Sequence, residues 1–473
     1  MPESTAVTFA NYAAARAYLE PFAHLSGLAA SPQAALERAK ALVALLGNPQ
    51  DAVPALHLAG TSGKGSTATI LANVLHAHGL RVGLGLSPHV RHLLERVQVD
   101  GAPVTEADFC RVLGEMVPAI NQLQASEFGA PTFFEILIAL SYKLFAELPV
   151  DVVVMETGLG GRFDATNTIS NPDKIVLFTD IGYDHVDLLG SSLSKIAYQK
   201  AGIIQPHNRV LTYMQPDDAQ AVIAHEAALQ AAQLAVFDPA TALNNITLYP
   251  EHLTFDLALP ARTPLNGLHL SLAGAHQAHN AGLAIVAADL FLRGRGEKLD
   301  ERAVYHALAR ISLPGRMDQR EWRGTYFIID GAHNAQKMHA LCDALTALYS
   351  QQRFVFVIAF KQGKDHAAIL TQLLPLAAHL ILTRFENHDQ GMPLAAADPH
   401  ELAALLSTIE SDTYIDFRMN EVTIQVVPDV AQALAAAVEV AHERRMDHAP
   451  LPIVATGSLY LLAEVYAVLD GTA

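Results

Sequence analysis

The chain has only two cysteines, Cys110 and Cys342, in 473 residues. Two thiols cannot build a disulfide framework, and they fit a reducing compartment. Basic residues are scarce: 31 Lys and Arg stand against 48 Asp and Glu, a net charge of −17. That balance excludes a general binder of nucleic acid or of an anionic membrane. It leaves anionic small molecules open, because these feel only the local field of a pocket. No run approaches the ~18 uninterrupted apolar residues of a membrane-spanning helix. The stretches at 136–148 and 281–292 are broken by Lys143, Glu147 and Asp289. Met1-Pro2-Glu3-Ser4 carries no basic region before an apolar run, so no signal peptide is expected. Internal repeats and low-complexity linkers are also missing. Together these absences point to a cytoplasmic protein. Apolar residues are plentiful: 51% of the chain is hydrophobic and 17% charged. Such a chain buries large cores and is not globally disordered. Its length suits two or three domains of ~150 residues each.

Periodicity predicts alternating strands and helices. Apolar positions at helical spacing run over 33–46, and Gly47-Asn48-Pro49 ends them. A short apolar strand at 55–59 leads into a Gly-rich turn and a helix over 66–78. Strands at 81–86, 150–155 and 174–179 and a helix over 133–147 continue the rhythm of a parallel sheet covered by helices. Residues 240–272 instead alternate in short segments with polar and Pro breaks, which predicts a small antiparallel patch attached to the first sheet. A helix is expected over 276–294. Leu313-Pro314-Gly315-Arg316 then stops the chain's helical run. A second α/β unit follows, with strands at 325–330, 353–360, 379–384 and 451–456 and helices at 335–349, 365–376 and 429–445. The expected fold class is α/β: a large P-loop-type parallel-sheet ATPase domain at 1–312, then a smaller Rossmann-like α/β domain at 313–473.

Five segments carry chemistry. Gly60-Thr61-Ser62-Gly63-Lys64-Gly65-Ser66 lies between a strand and a helix. A Gly-rich turn there exposes backbone N–H groups at a helix N-terminus, which favours phosphate. Lys64 can reach β- and γ-phosphates and the Ser66 hydroxyl can bind Mg²⁺. The spacing is not the strict Walker pattern, and an ordinary βα turn is the alternative. Glu156-Thr157-Gly158-Leu159-Gly160-Gly161-Arg162 follows the most β-branched strand. A carboxylate at a strand's carboxyl end suits both ligand binding and Mg²⁺; a solvated acid beside a turn is the alternative. Asp184-His185 follows a third strand, where His185 can bind metal or phosphate, though the chain holds 22 His. Lys200, at an apolar helix end, reads from its residues alone as a snorkelling cation rather than a modified one. Gln277, Asn280, Arg316 and Asp330-Gly331-Ala332-His333-Asn334 complete the set. Asn suits an adenine edge, Arg a phosphate and Asp330 a ribose hydroxyl.

In combined order these segments resemble the folylpolyglutamate synthase/dihydrofolate synthase family of the Mur ligase superfamily. Ser87-Pro88-His89, Thr132-Phe133-Phe134-Glu135, Lys200-Ala201-Gly202-Ile203, Leu313-Pro314-Gly315-Arg316 and Gly457-Ser458-Leu459-Tyr460 belong to the same series. The resemblance runs from about residue 33 to 465. It implies ATP-dependent addition of L-glutamate to folates through an acyl phosphate. Gly63, Lys64, Gly65 and Ser66 would cradle ATP, Asn280 adenine, Arg316 the phosphates and Asp330 the ribose. Ser66, Ser87 and Glu156 would hold one Mg²⁺, and His185 and a carbamylated Lys200 a second. His333 and Ser458 would bind glutamate or order the intermediate, and Thr132, Phe163, Asp164 and Ala165 would border the pterin. Lys64, Lys200, His185 and His333 form the implied catalytic group. The implied partners are ATP, a folate or dihydropteroate, and glutamate, with no nucleic acid, no membrane and a monomeric chain.

Three positions depart from the family pattern. Gln199 replaces the usual Glu before the modified lysine. Asn334-Ala335 replaces Asn-Pro. Gln33-Ala34-Ala35 lacks the Asp that some members use on dihydropteroate, so glutamate addition to folates is the firmer of the two activities. A Mur-type ligase for another carboxylate and a slow ATP-hydrolysing binding protein are the other readings.

Overall fold

The computed structural model describes residues 6–25, 31–259, 262–386, 395–412, 422–444 and 449–472. Residues 1–4 and Arg445, at the end of one expected helix, lie outside them.

Eight strands form the first sheet, in the order Ala102–Pro103, Val97–Val99, Val82–Gly85, Val152–Glu156, Ala55–Ala59, Ile175–Phe178, Arg209–Tyr213, Gln233–Phe237. The six from Val82 onward pair in parallel, as the rhythm of the sequence predicts. The other two, which the sequence reading did not pick out, pair antiparallel at one edge. The hairpin between these two strands turns at Asp100-Gly101, where φ is 54° and 79°. Two successive positive φ values match the twist of a two-residue hairpin.

The patch at 240–272 is a separate three-stranded sheet of Leu243–Leu248, Leu253–Leu257 and Leu265–Leu270. It joins the first sheet through packing, not through ladder hydrogen bonds. Leu253, Phe255, Leu257, Leu268 and Leu270 bury against Leu71, Leu75 and Ile285 of helices Lys64–Ala77 and His276–Gly294. The central strand Leu253–Leu257 alternates buried and partly exposed positions, as a one-sided sheet requires.

A third sheet of six strands runs Asp318–Trp322, Thr325–Ile329, Ile453–Thr456, Phe354–Ile358, Ala377–Leu382, Thr423–Val426. All pair in parallel except the first, which turns back at Arg323-Gly324. That first strand, Asp-Gln-Arg-Glu-Trp, has no apolar alternation to betray it. The expected helix over 365–376 ends earlier, at Leu373, and tightens into a short 3₁₀ turn at Leu374–Leu376.

One buried ion pair anchors the helical layer beneath the site. Arg38 Nε lies 2.8 Å from Glu135 Oε2, and a second contact of 2.9 Å makes the pair bidentate. Glu135 Oε2 also accepts from Thr132 N at 2.8 Å, closing a capping box at the start of helix Phe133–Glu147. Removing one partner strands a buried charge at a cost of about 3–5 kcal/mol. Glu135→Ala is therefore expected to lower the urea midpoint markedly, and Glu135→Leu with Arg38→Met to recover much of the loss. An unchanged midpoint for Glu135→Ala would contradict the pair's structural role.

Candidate functional site

The strand order puts Ala55–Ala59 between Val152–Glu156 and Ile175–Phe178, so three loops leave one sheet edge side by side. The loop from Gly60 to Ser66 packs tightly there. A Cβ on Gly60 would stand 1.9 Å from Thr179 Oγ1, and one on Gly63 would stand 2.4 Å from Asn280 Oδ1. Gly63 also has φ +82° as the residue before helix Lys64–Ala77. Left-handed backbone costs a side-chain-bearing residue about 1–2 kcal/mol. Gly63→Ala is thus expected to push Asn280 aside and weaken nucleotide binding at least about tenfold, read by calorimetric titration with ADP. Unchanged affinity would contradict the close packing.

Two lysines meet the same carbonyl. Lys64 Nζ donates to Gly60 O at 3.1 Å, and buried Lys200 Nζ donates to it at 2.7 Å from helix Leu193–Ala201. Burial, and then Lys64, hold the Lys200 ammonium well below the usual lysine range. Its side chain points inward, so the snorkelling alternative is wrong for this residue. Beside them, Glu156 Oε2 accepts from Ser87 N at 3.0 Å. Burial raises the Glu156 carboxyl above its ordinary range. The Ser87 hydroxyl is buried with no hydrogen-bond partner among the described residues.

His185 starts a single helical turn with φ +50°. Burial lowers its imidazole to about 4, against the pull of Asp184. Burial alone would raise the Asp184 carboxyl, but His185 and Lys364 hold it well below the carboxylate range. Lys364 Nζ sits 2.6 Å from Asp184 Oδ1, and Asn334 Nδ2 donates to Asp184 Oδ2 at 3.0 Å. Gln336 donates to Asp180 and accepts from Ser62 Oγ at 3.2 Å. Residues after 330 are thereby stitched to the loops of the first sheet.

Asp330 accepts from Met317 N and Ala332 N, each at 2.9 Å, and burial raises its carboxyl. The Arg316 guanidinium donates to Gly315 O at 2.8 Å. His333 Nδ1 bonds Gly331 O at 2.7 Å, while its Nε2 faces Lys337 Nζ at 3.1 Å. Asn280 accepts from Tyr213 OH at 3.1 Å and donates to Gln277 Oε1 at 2.9 Å.

Twelve of the residues singled out from the sequence line one cavity of about 650 Å³: Gly63, Lys64, Gly65, Ser66, Ser87, Glu156, His185, Lys200, Asn280, Arg316, Asp330 and His333. Five do not line it. Thr132 caps its helix, and Asp164 accepts from Leu159 N, Thr166 N and Thr166 Oγ1, so both hold loops in place. Ala165 is buried beneath them. Ser458 caps helix Leu459–Leu469, whose first residue does reach the cavity. Phe163 lines a second cavity of about 390 Å³ with Gln33, Leu36, Lys40 and Arg162.

The region 315–468 matches the dihydrofolate synthetase, C-terminal domain, and 107–288 the Mur ligase middle domain. The chain is 30% identical over 383 residues to the dihydrofolate synthase/folylpolyglutamate synthase of Bacillus subtilis, covering 81% of this chain and 88% of that protein. It is also 30% identical to the folylpolyglutamate synthase of Lacticaseibacillus casei, covering 98% and 99%. The chain belongs to the folylpolyglutamate synthase/dihydrofolate synthase family. The fold agrees. A Mycobacterium tuberculosis folylpolyglutamate synthase complexed with ADP superposes with TM-score 0.84 at 29% identity, over 97% of this chain and 99% of that one. As a member of this Mur-type family the chain is an ATP-dependent, amide-bond-forming ligase.

Sequence reasoning missed Lys337, Gln336 and Lys364, and it gave Asp184 no role. Lys337 carried a signal: it stands four residues after His333, in the first turn of the helix that follows the Asp330–Asn334 segment. Lys364 follows strand Phe354–Ile358, another carboxyl end where the rule applied to Glu156 and His185 would have found it. No helix among the described residues is long and apolar enough to cross a membrane.

Proposed function

We propose that the chain adds L-glutamate to folates with ATP, as a tetrahydrofolylpolyglutamate synthase. The observation that carries this is the charge inside the cavity. Lys64, Lys200, Arg316 and Lys337 line it, and among the described residues none has a carboxylate within ion-pair distance. Unpaired cations converging in a chain of net charge −17 call for anionic ligands. A triphosphate and two carboxylic substrates supply them.

In this reading a folate carboxylate oxygen attacks the γ-phosphorus of ATP. The bond to the bridging oxygen breaks and ADP leaves an acyl phosphate. The glutamate nitrogen then attacks the acyl carbon, the amine loses a proton and phosphate leaves. Two anions must meet in the first step, so neutralising charge is the main requirement. The N–H groups of Gly63, Gly65 and Ser66 cradle the phosphates, with Lys64 and Arg316 against them. Asn280 faces adenine and Asp330 the ribose. His333 and the Ser458 cap border the glutamate. Phe163 borders the pterin, with Thr132, Asp164 and Ala165 shaping its wall.

The residues present fit Mg²⁺. Among the described residues no three His, Cys, Asp or Glu converge on a metal. A site here therefore rests on hydroxyls and one carboxylate, and the orphaned Ser87 hydroxyl beside Glu156 and Ser66 provides them. His185, with Lys200 once carbamylated, would hold a second ion. Bound Mg²⁺ supplies charge neutralisation at the phosphate oxygens. The buried Lys200 amine is disposed toward its neutral form, the form that combines with CO₂.

We divide the chain into an ATP-binding domain at 1–312 and a glutamate ligase domain at 313–473, acting as a monomer in the cytoplasm. The test is ADP release with ATP, Mg²⁺, glutamate and either tetrahydrofolate or dihydropteroate. Release that requires tetrahydrofolate and glutamate together is expected. Glutamate-independent release would favour an ATP-hydrolysing binding protein. Absence of release above background would remove the folate reading. Parallel release with dihydropteroate would add dihydrofolate synthesis to the activity.

A further inference from the structure

We propose that Lys337 is a catalytic cation supplied in cis by the domain of the six-stranded sheet, binding the terminal phosphoryl group between itself and Lys64. This rests on the ligase reading above and adds a residue to it.

Lys337 lies in the first turn of helix Ala335–Leu348, and it lines the cavity. Its neighbour Gln336 accepts from Ser62 Oγ at 3.2 Å, two residues before Lys64. The start of this helix therefore rests against the phosphate loop. The helix is fixed from its other side too. Asn334 Oδ1 accepts from Lys337 N at 2.9 Å, while Asn334 Nδ2 holds Asp184 at 3.0 Å.

The side-chain chemistry defines what Lys337 lacks. His333 Nδ1 faces a carbonyl, which only accepts, so Nδ1 carries the proton. His333 Nε2 is then an acceptor, and Lys337 donates to it at 3.1 Å. That is a neutral partner for a cation. Lys364 differs, since its ammonium already has Asp184 at 2.6 Å. Lys337 has no carboxylate within ion-pair distance among the described residues. Burial, followed by the like charge of Lys64, brings its ammonium down to about 7, with Asp184 opposing and Arg316 and Lys364 adding to the effect. Two ammonium groups facing one cavity repel until an anion lies between them. The anion that a phosphate-loop lysine meets is the β,γ end of ATP. A cation reaching that end from another domain stabilises the charge that develops during transfer.

The test compares ADP with a methylene-bridged ATP analogue, both with Mg²⁺, by calorimetry on the full chain. Lys337→Met is expected to lower the preference for the triphosphate analogue over ADP about tenfold, the typical weight of one charged hydrogen bond. Lys337→Arg should retain most of that preference. Turnover should fall in Lys337→Met while the KM for glutamate stays near wild type. The preference is a ratio within one variant, so a smaller folded fraction does not alter it. Equal weakening of both nucleotides, or none, would overturn the proposal. So would a raised glutamate KM with an unchanged ratio, which would assign Lys337 to the amino-acid carboxylate. Failure of glutamate-dependent ADP release in the wild type would remove the ligase reading instead, and the nucleotide ratio would still report on Lys337.

Discussion

Lys64→Ala is expected to lower turnover about 1000-fold or more, the scale on which phosphoryl transfer responds to loss of a cation at the transferred group. The prediction follows from position. Gly63 turns the chain with φ +82° and Lys64 opens the helix, so the ammonium and the helix N-terminus face one cavity. Among the described residues its only hydrogen-bond partner is Gly60 O at 3.1 Å. Removing the side chain exposes no buried charge, so the fold should survive. Steady-state ADP release with both organic substrates measures the loss, and a thermal melt checks that the variant is folded. Activity near wild type would remove the ATP-site assignment, because no other residue of that loop carries a positive charge.

Lys200→Ala should lower turnover at least about 100-fold, for a different reason. An ammonium donating to Gly60 O repels Mg²⁺, whereas a carbamate at the same place offers it an oxygen ligand. Carbamylation joins CO₂ to the neutral amine and releases a proton, reversing the local charge. Alanine leaves a space where the long side chain stood. Acetate or propionate should enter it and restore part of the activity, which tests the carboxylate role separately from folding. A rescue that fails, together with an unmodified Lys200 in a high-resolution density map, would argue against the modification. Higher bicarbonate should raise wild-type activity and leave Lys200→Ala unchanged.

The site was legible wherever a strand end coincided with an unusual residue. Gly60 to Ser66, Glu156 and His185 each follow a strand whose β-branched or apolar run is plain in the sequence. The rule that ligands bind outside the carboxyl ends needs nothing more. Lys200 was different. Its helix carries Ser, Tyr and Gln among its apolar residues, and periodicity alone gave a solvated cation. Only the family resemblance gave it a metal-binding role, and only the fold showed its Nζ on Gly60 O. Lys337 and Lys364 were missed because the signals they carry, four residues after His333 and after a strand end, do not by themselves say which cations stand unpaired. Their meaning depends on what faces them across the cavity. The edge strands Val97–Val99 and Asp318–Trp322 were lost for a related reason. An edge strand is half solvated and short, so it need not alternate or run apolar.

The sequence by itself determined the class of fold, and it is the basis for the proposed division near Leu313-Pro314-Gly315-Arg316 and for the proposed nucleotide-binding residues. Local physics suffices for these: helical and strand periods, glycine where a turn needs positive φ, and proline where a helix must stop. The tertiary structure decided which charges stand alone. Asp184 and Lys364 lie 180 residues apart and neutralise each other, while Lys64, Lys200, Arg316 and Lys337 share a cavity and, among the described residues, none has a carboxylate within ion-pair distance. No sequence pattern records that difference, because pairing depends on distances of a few ångströms between elements far apart in the chain. Coulomb energy in a buried cleft varies steeply over that range. Long-range packing alone fixes which cations of the chain meet at the site and which of them are paired.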